Sequence, residues 1–174
     1  GAANTSPITS YLVQYTVDGS TWTTGSSGSS ATSATIDADS PTAVRIAAVS
    51  ATGVSAFATV DLPTAGPATV SGVTESGAVI GGGVDANGLT ADVVVEFAGS
   101  ADALGTPDGT EVATDPSSAT GSDVTPVSAT LADLAPGHHY VARLKATAAG
   151  VTVYGPTTSF ATDALIETTV VALE

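Results

Sequence analysis

Two adjacent histidines, His138 and His139, are the side chains in this sequence best suited to acid–base chemistry or metal binding near neutral pH. Either chemistry requires both rings to face one substrate or one ion. The surrounding residues predict a β-strand, and neighbours on a strand point to opposite faces of the sheet. We therefore predict that the two histidines act separately, one packed near a turn and the other solvated.

Carboxylates are the second group that could do chemistry, as ligands for Ca²⁺. The acidic residues grouped by their spacing are Asp37, Asp39, Asp108, Glu111, Asp115 and Asp123. No stretch has the Asp-x-Asp-x-Asp-Gly spacing of a calcium loop, so solvated loops are predicted. Lys145 could form an isopeptide bond only from a buried, desolvated position, and its predicted register points outward.

Serines and glycines complete the candidates for chemistry. No Gly-x-Ser-x-Gly elbow precedes a helical pattern, so a serine hydrolase has no scaffold here. Gly81-Gly82-Gly83 is followed by neither a lysine nor a helix start, which a phosphate-binding loop requires. The three glycines predict a strand with a bulge or a close backbone approach. We predict no catalytic, cofactor-binding or metal-binding residue, no cofactor and no enzyme activity.

The charge of the chain excludes several classes of partner. Its 17 acidic residues face only three basic ones, Arg45, Arg143 and Lys145, which gives a formal net charge of −14. Nucleic-acid binding needs basic residues to neutralise phosphates, and anionic membranes repel such a chain. No apolar run approaches the roughly 20 residues of a membrane-spanning helix. We therefore predict neither a nucleic-acid partner nor membrane insertion.

The elements that would position any site are short β-strands. Hydrophobic residues make up 43% of the chain and aromatic residues 5%, with 19 Gly and nine Pro, which favours an all-β fold with an aliphatic core. In the second half, seven strands are predicted at 68–73, 78–84, 92–98, 110–113, 127–131, 138–148 and 151–160. The polar stretch 114–123 is predicted to be an exposed loop. Seven strands are the number that a constant-type sandwich needs.

The second half resembles the fibronectin type III family. Leu134-Ala135-Pro136-Gly137-His138-His139-Tyr140 is similar to its signature, in which Leu-x-Pro-Gly precedes the strand that carries a corner tyrosine. The stretch 83–89, followed by 93–97, resembles bacterial versions of the module. The resemblance implies a complete sandwich at 68–163. It also implies a structural corner formed by Leu134, Pro136, Gly137 and Tyr140, with the tyrosine hydroxyl reaching upstream backbone.

The first half resembles only the later strands of the same family. Residues 8–15 look like its third strand, 18–22 like the following turn, and 44–53 like its sixth strand. Thr42 stands where the corner tyrosine is expected. The first two strands and their core tryptophan have no counterpart before Ile8, and Trp22 lies too late to replace it. The resemblance implies two immunoglobulin-like sandwiches in tandem, an incomplete one at 1–62 and a complete one after a linker at 63–67.

An incomplete sandwich exposes an apolar face and an unpaired edge. We predict that Tyr11, Val13, Tyr15, Val44 and Ile46 form an acceptor groove. The segment 164–174 contains no Gly or Pro, is rich in β-branched residues and is about one strand long. We predict that this segment is a donor strand that fills the groove of a neighbouring copy. Its predicted contact residues are Leu165, Ile166, Val170, Val171 and Leu173. Two alternatives stay open: the chain begins inside a domain, or this segment is the first strand of a following repeat.

These features favour a non-catalytic structural subunit that is extracellular or on a bacterial cell surface. Donation of the C-terminal strand to the next copy would make a head-to-tail homopolymer. The alternatives are an adhesin or spacer module of a larger secreted protein, and a bacteriophage tail or decoration protein. The sequence names no glycan or protein ligand.

Overall fold

A computed structural model of the chain describes residues 6–31, 33, 36 and 41–165. Within this part, the chain folds into 14 β-strands and one short 3-10 helix, so the predicted all-β class is confirmed. Two compact units divide the chain, Gly1–Pro63 and Thr64–Glu174. No helix of the described residues has the length and apolar character that a membrane crossing requires.

The described strands of the first unit form a single antiparallel sheet. They are β1 (Ile8–Thr16), β2 (Thr23–Ser29), β3 (Ala43–Ser50), β4 (Gly53–Val54) and β5 (Ala58–Asp61). The sheet order is β2-β1-β3-β4, and β5 also pairs with β3. A second sandwich in tandem therefore stays a prediction, because this unit shows one layer among its described residues. Ile36, which the sequence places between β2 and β3, is described and is in no strand.

Asp18 holds the turn that joins β1 to β2. Its Oδ1 accepts hydrogen bonds from the backbone N–H groups of Thr21 (2.6 Å) and Ser20 (2.8 Å) and from the hydroxyl of Thr16 (3.0 Å). These donors, the Thr21 N–H first, hold the pKa of the Asp18 carboxyl far below its usual range. Gly19 follows with a φ of 75°, a conformation that glycine adopts without strain. The turn that the sequence predicts at 18–22 is therefore present between the two strands.

The second unit is a two-layer sandwich. Its strands are β6 (Thr64–Ala65), β7 (Thr69–Ser71), β8 (Ala78–Asp85), β9 (Thr90–Ala98), β10 (Thr110–Thr120), β11 (Thr125–Leu131), β12 (His139–Ala148), β13 (Val151–Tyr154) and β14 (Thr158–Ala161). One layer consists of β11, β8 and the short strands β6 and β7. The other consists of β10, β9 and β12, with β13 and β14 both paired to β12. This arrangement is the predicted fibronectin type III-like sandwich.

The core between these two layers is aliphatic. Alternate residues of the facing strands are fully buried, among them Ile80, Val84, Val95, Leu131 and Leu144. Such period-two burial is what a strand with one face against a second layer requires. The low aromatic content of the sequence predicted this kind of core.

Gly82 explains part of the glycine run in β8. A Cβ atom at this position would lie 2.6 Å from Cδ1 of Leu144 and 3.0 Å from the backbone oxygen of Pro67. The pairing of β8 with β11 runs from Thr125 to Leu131 without a register shift. Of the two predicted explanations, close approach therefore applies here, and a bulge does not.

Two polar segments differ from the sequence prediction. The stretch predicted as a loop at 114–123 is strand as far as Thr120. Its residues pair with both layers: Asp115 lies opposite Ser128 of β11, while Ser118 and the two residues after it pair with β9. Most residues of this strand are exposed, so backbone pairing with the two layers and not burial holds it. Within the predicted linker 63–67, Thr64–Ala65 pairs with β8.

Candidate functional site

The structural corner lies at one end of the second unit. Leu134 is buried, and the hydroxyl of Tyr140 accepts a hydrogen bond from the backbone N–H of Ala135 at 2.9 Å. The Tyr140 ring stacks on Phe160 with centroids 5.6 Å apart. Gly137, which follows Pro136, has a φ of 67°, and its N–H donates to the carbonyl of Asp163 at 2.9 Å. The corner thereby ties β12 to the end of the unit.

Replacing Tyr140 with phenylalanine is expected to destabilise the second unit by about 1–3 kcal/mol, because the part-buried N–H of Ala135 loses its acceptor. Urea unfolding measures this change. Tyr154→Phe is the matched control, since the Tyr154 ring is exposed over Arg143 and surface changes usually stay within about 0.5 kcal/mol. Equal losses in both variants would contradict a role of the hydroxyl in the corner.

The residues considered for chemistry are scattered. His138 and His139 are both exposed, so the prediction that one of them packs is wrong. The Nδ1 atom of His138 lies 2.9 Å from the carbonyl oxygen of Pro136, and this hydrogen bond explains the position of the His138 ring beside the turn. Over the described part of the chain, no three His, Cys, Asp or Glu residues are grouped to hold a metal. Asp37 and Asp39 lie outside the described residues.

Lys145 lies on the outer side of β12, as its register predicts. Its ammonium group forms an ion pair with Glu111. The hydrogen bond to Glu111 raises the pKa of Lys145. The amine is therefore charged and paired, which is unlike the desolvated amine that isopeptide chemistry requires.

The sheet of the first unit repeats one layer of the second. Its order β2-β1-β3-β4, with β5 on β3, matches the order β10-β9-β12-β13, with β14 on β12. The registers also correspond. Val13 lies opposite Ile46 as Val95 lies opposite Leu144, and each strand carries an arginine one residue earlier, Arg45 or Arg143.

The predicted groove residues share one face of this repeated sheet. The register pairs Val13 with Ile46 and Tyr15 with Val44, and it pairs Tyr11 with Ala48. Val60 of β5 lies opposite Val44 and extends the same face. We call this surface the apolar face; it consists of Tyr11, Val13, Tyr15, Val44, Ile46, Ala48 and Val60. Its role as an acceptor stays a prediction.

Two of the seven residues of the apolar face are exposed and the other five are half-buried. Ile46 is 43% exposed and Val60 is 44% exposed, whereas Leu144, the counterpart of Ile46, is 0% exposed. In the second unit, β8 and β11 cover this face. No strand of the first unit's described residues takes their place. At the Tyr15 end of the sheet, a Cβ on Gly25 would lie 3.4 Å from Cδ1 of Tyr15 and 3.5 Å from Cγ1 of Ile36.

The opposite face of the same sheet carries an arginine between aromatic rings. The Cζ atom of Arg45 lies 4.1 Å from the ring centroid of Trp22 and 4.2 Å from that of Phe57. Its Nε and Nη2 atoms donate to Oε1 of Gln14 at 2.8 and 2.6 Å. We call these four residues the arginine cluster. The sequence pattern does not reveal this cluster, because only the fold brings its members together.

The predicted donor strand lies almost wholly outside the described residues. Of its five contact residues, only Leu165 is described, and its side chain is 64% exposed. The other four, Ile166, Val170, Val171 and Leu173, lie beyond the described part.

Comparisons with known proteins find no matching family model and no matching curated protein. Among solved structures, the sensor domain of the anti-sigma factor RsgI4 from Pseudobacteroides cellulosolvens is 20% identical. The alignment covers 64% of this chain and all of that domain, with a TM-score of 0.46. The FN1–FN3 domains of chicken CNTN1 are 17% identical, covering 88% of this chain and 56% of that one, with a TM-score of 0.42. Domains A168–A170 of titin are 16% identical, covering 70% and 40%, with a TM-score of 0.40.

Proposed function

We propose that this chain is a non-catalytic structural subunit of an extracellular or cell-surface bacterial assembly. Each copy completes its first unit with a β-strand from a neighbouring copy. The subunits then form a filament or a surface lattice by strand complementation. The partner is a second copy of the same chain.

The partly exposed apolar face supports this proposal more than any other observation. Ile46 and Val60 are each more than two-fifths exposed at a sheet face whose counterpart is sealed in the second unit. Covering apolar surface yields about 25 cal/mol for each Å² removed from water. Removing the exposed parts of this face from water therefore favours association with a partner, and exposed apolar surface often marks interaction sites.

The composition of the C-terminal segment supports its role as the donor. Residues 165–173 include two leucines, one isoleucine and two valines, with neither Gly nor Pro. Nine residues of strand span about 30 Å, enough to cross a sheet face. Leu165 is exposed four residues after the end of β14, the last strand of the described residues. The donor then belongs to the end of one copy and the acceptor to the start of the next, so the contact is heterologous and propagates.

Deleting residues 165–173 tests the proposal. We expect the full chain to form polymers that pellet and are visible by electron microscopy, and the deleted chain to stay monomeric because the apolar face has no strand to bind. A chain carrying Thr168→Ser and Thr169→Ser is the control, since its apolar residues are intact, and it should polymerise. Polymers of the deleted chain would refute donation by this segment. A full chain that is monomeric at every concentration would favour a spacer or adhesin module instead.

A further inference from the structure

The arginine cluster has a close counterpart in the second unit. There, Nε and Nη2 of Arg143 both contact Oε2 of Glu96 at 2.7 Å, and Cζ lies 3.8 Å from the ring centroid of Tyr154. In the first unit, Gln14 takes the place of Glu96 in the register. The same edge of each guanidinium therefore contacts a side-chain oxygen, and each group is stacked on an aromatic ring.

The two clusters differ in charge. Glu96 neutralises Arg143, whereas the amide of Gln14 accepts the same hydrogen bonds and carries no charge. Among the described residues, no carboxylate lies within ion-pair distance of Arg45. Lys145 is paired with Glu111, so Arg45 is the one of the three basic side chains without an acidic partner in the described part of the chain.

The cluster also holds the Arg45 guanidinium ready for a ligand. The rings of Trp22 and Phe57 and the amide of Gln14 fix the plane of the guanidinium. Within the described part of the chain, Nη2 donates only to Gln14 and Nη1 donates to no residue. The edge formed by Nη1 and Nη2 presents two parallel N–H groups, the geometry that a carboxylate binds with both oxygens. A guanidinium fixed in this way loses little side-chain entropy when a ligand arrives.

We propose that Arg45 binds a carboxylate of a neighbouring copy, so that the arginine cluster is a second contact between subunits. This inference rests on the proposed self-assembly. A chain with 17 acidic and three basic residues repels its own copies. Arg45 offers an attractive contact in such an encounter, because the other two basic residues are already neutralised within their own unit. Its position on the side opposite the apolar face gives each first unit two separate contact surfaces.

Gln14→Glu tests this inference with little disturbance of the fold, because it reproduces the pairing of Glu96 with Arg143. The new carboxylate neutralises Arg45 within its own copy. We expect the critical concentration for polymer formation to rise about ten- to hundred-fold, the loss produced by removing a hydrogen bond to a charged group. The effect should shrink at about 1 M salt, where the screening length is about 3 Å.

Thr130→Glu is the charge-matched control, since Thr130 is exposed in β11 and the variant has the same net charge. Its critical concentration should stay within about twofold of the wild type. Arg45→Gln gives a second test, with thermal unfolding to show that the sheet is intact. Equal critical concentrations for the wild type and Gln14→Glu would overturn the role of Arg45 and leave strand donation standing. A wild type that never polymerises would overturn both proposals.

Discussion

Replacing Leu144 with alanine is expected to destabilise the second unit by about 2–5 kcal/mol, a large part of the roughly 5–15 kcal/mol that keeps a domain folded. Leu144 is fully buried and packs close to the Gly82 backbone, where a Cβ would lie 2.6 Å from its Cδ1 atom. Cutting the side chain back opens a cavity that the rigid strands around it cannot fill. Urea unfolding of the full chain measures the loss.

The matched control is Ile46→Ala, the same kind of truncation at the counterpart position in the first unit. In the unassembled chain it should cost less than about 1 kcal/mol, because a half-exposed side chain loses little burial. A loss at Ile46 as large as that at Leu144 would show that the apolar face is already covered within one molecule. The proposed strand complementation would then have no vacant face to act on.

Replacing Ile46 with aspartate is expected to abolish polymer formation. In the assembled state the new carboxylate would be buried beneath the donor strand without a partner, and an uncompensated buried charge costs about 3–5 kcal/mol. The critical concentration should therefore rise at least about a hundredfold. Pelleting and electron microscopy measure it, and Thr130→Asp is the charge-matched control at an exposed position.

Mixing two defective chains gives a stricter test of the same idea. The Ile46→Asp chain keeps an intact donor segment, and the chain that lacks residues 165–173 keeps an intact apolar face. Together they should form one-to-one dimers that cannot grow, visible by sedimentation velocity. Polymers from Ile46→Asp alone, or no dimers in the mixture, would contradict donation into the apolar face.

Most of the fold prediction rests on the alternation of apolar and polar residues along the strands. The pattern of Tyr11, Val13 and Tyr15 placed these residues on one side of β1, and the register shows them facing the same way as Val44 and Ile46. Periodicity succeeds here because one face of the strand is apolar and the other is mixed. Most strands of the second unit follow from the same pattern, but the predicted strand 151–160 is two strands, β13 and β14, and β6 lies within the predicted linker.

Two features that the sequence did not predict, the polar part of β10 and the arginine cluster, also have physical explanations. The polar part of β10 is predicted as a loop because backbone pairing with β9 and β11 holds it, and backbone hydrogen bonds produce no hydrophobic pattern in the sequence. The arginine cluster was missed because Trp22, Arg45 and Phe57 meet only when the turn, β3 and the segment before β5 come together. The sequence did offer one signal for the cluster, which is the single arginine Arg45 within an apolar strand. Its counterpart Arg143 in β12 repeats that signal.

The pairing of β10 with both layers has a mechanical consequence for a chain of such subunits. Tension on the second unit enters through β6 and then β7, which both pair with β8 in one layer, and leaves through β14, which pairs with β12 in the other. A pull on the two ends therefore tends to drag the layers past each other. Because β10 pairs with β9 and with β11, it links the two layers and distributes the force over the hydrogen bonds of both strand pairs.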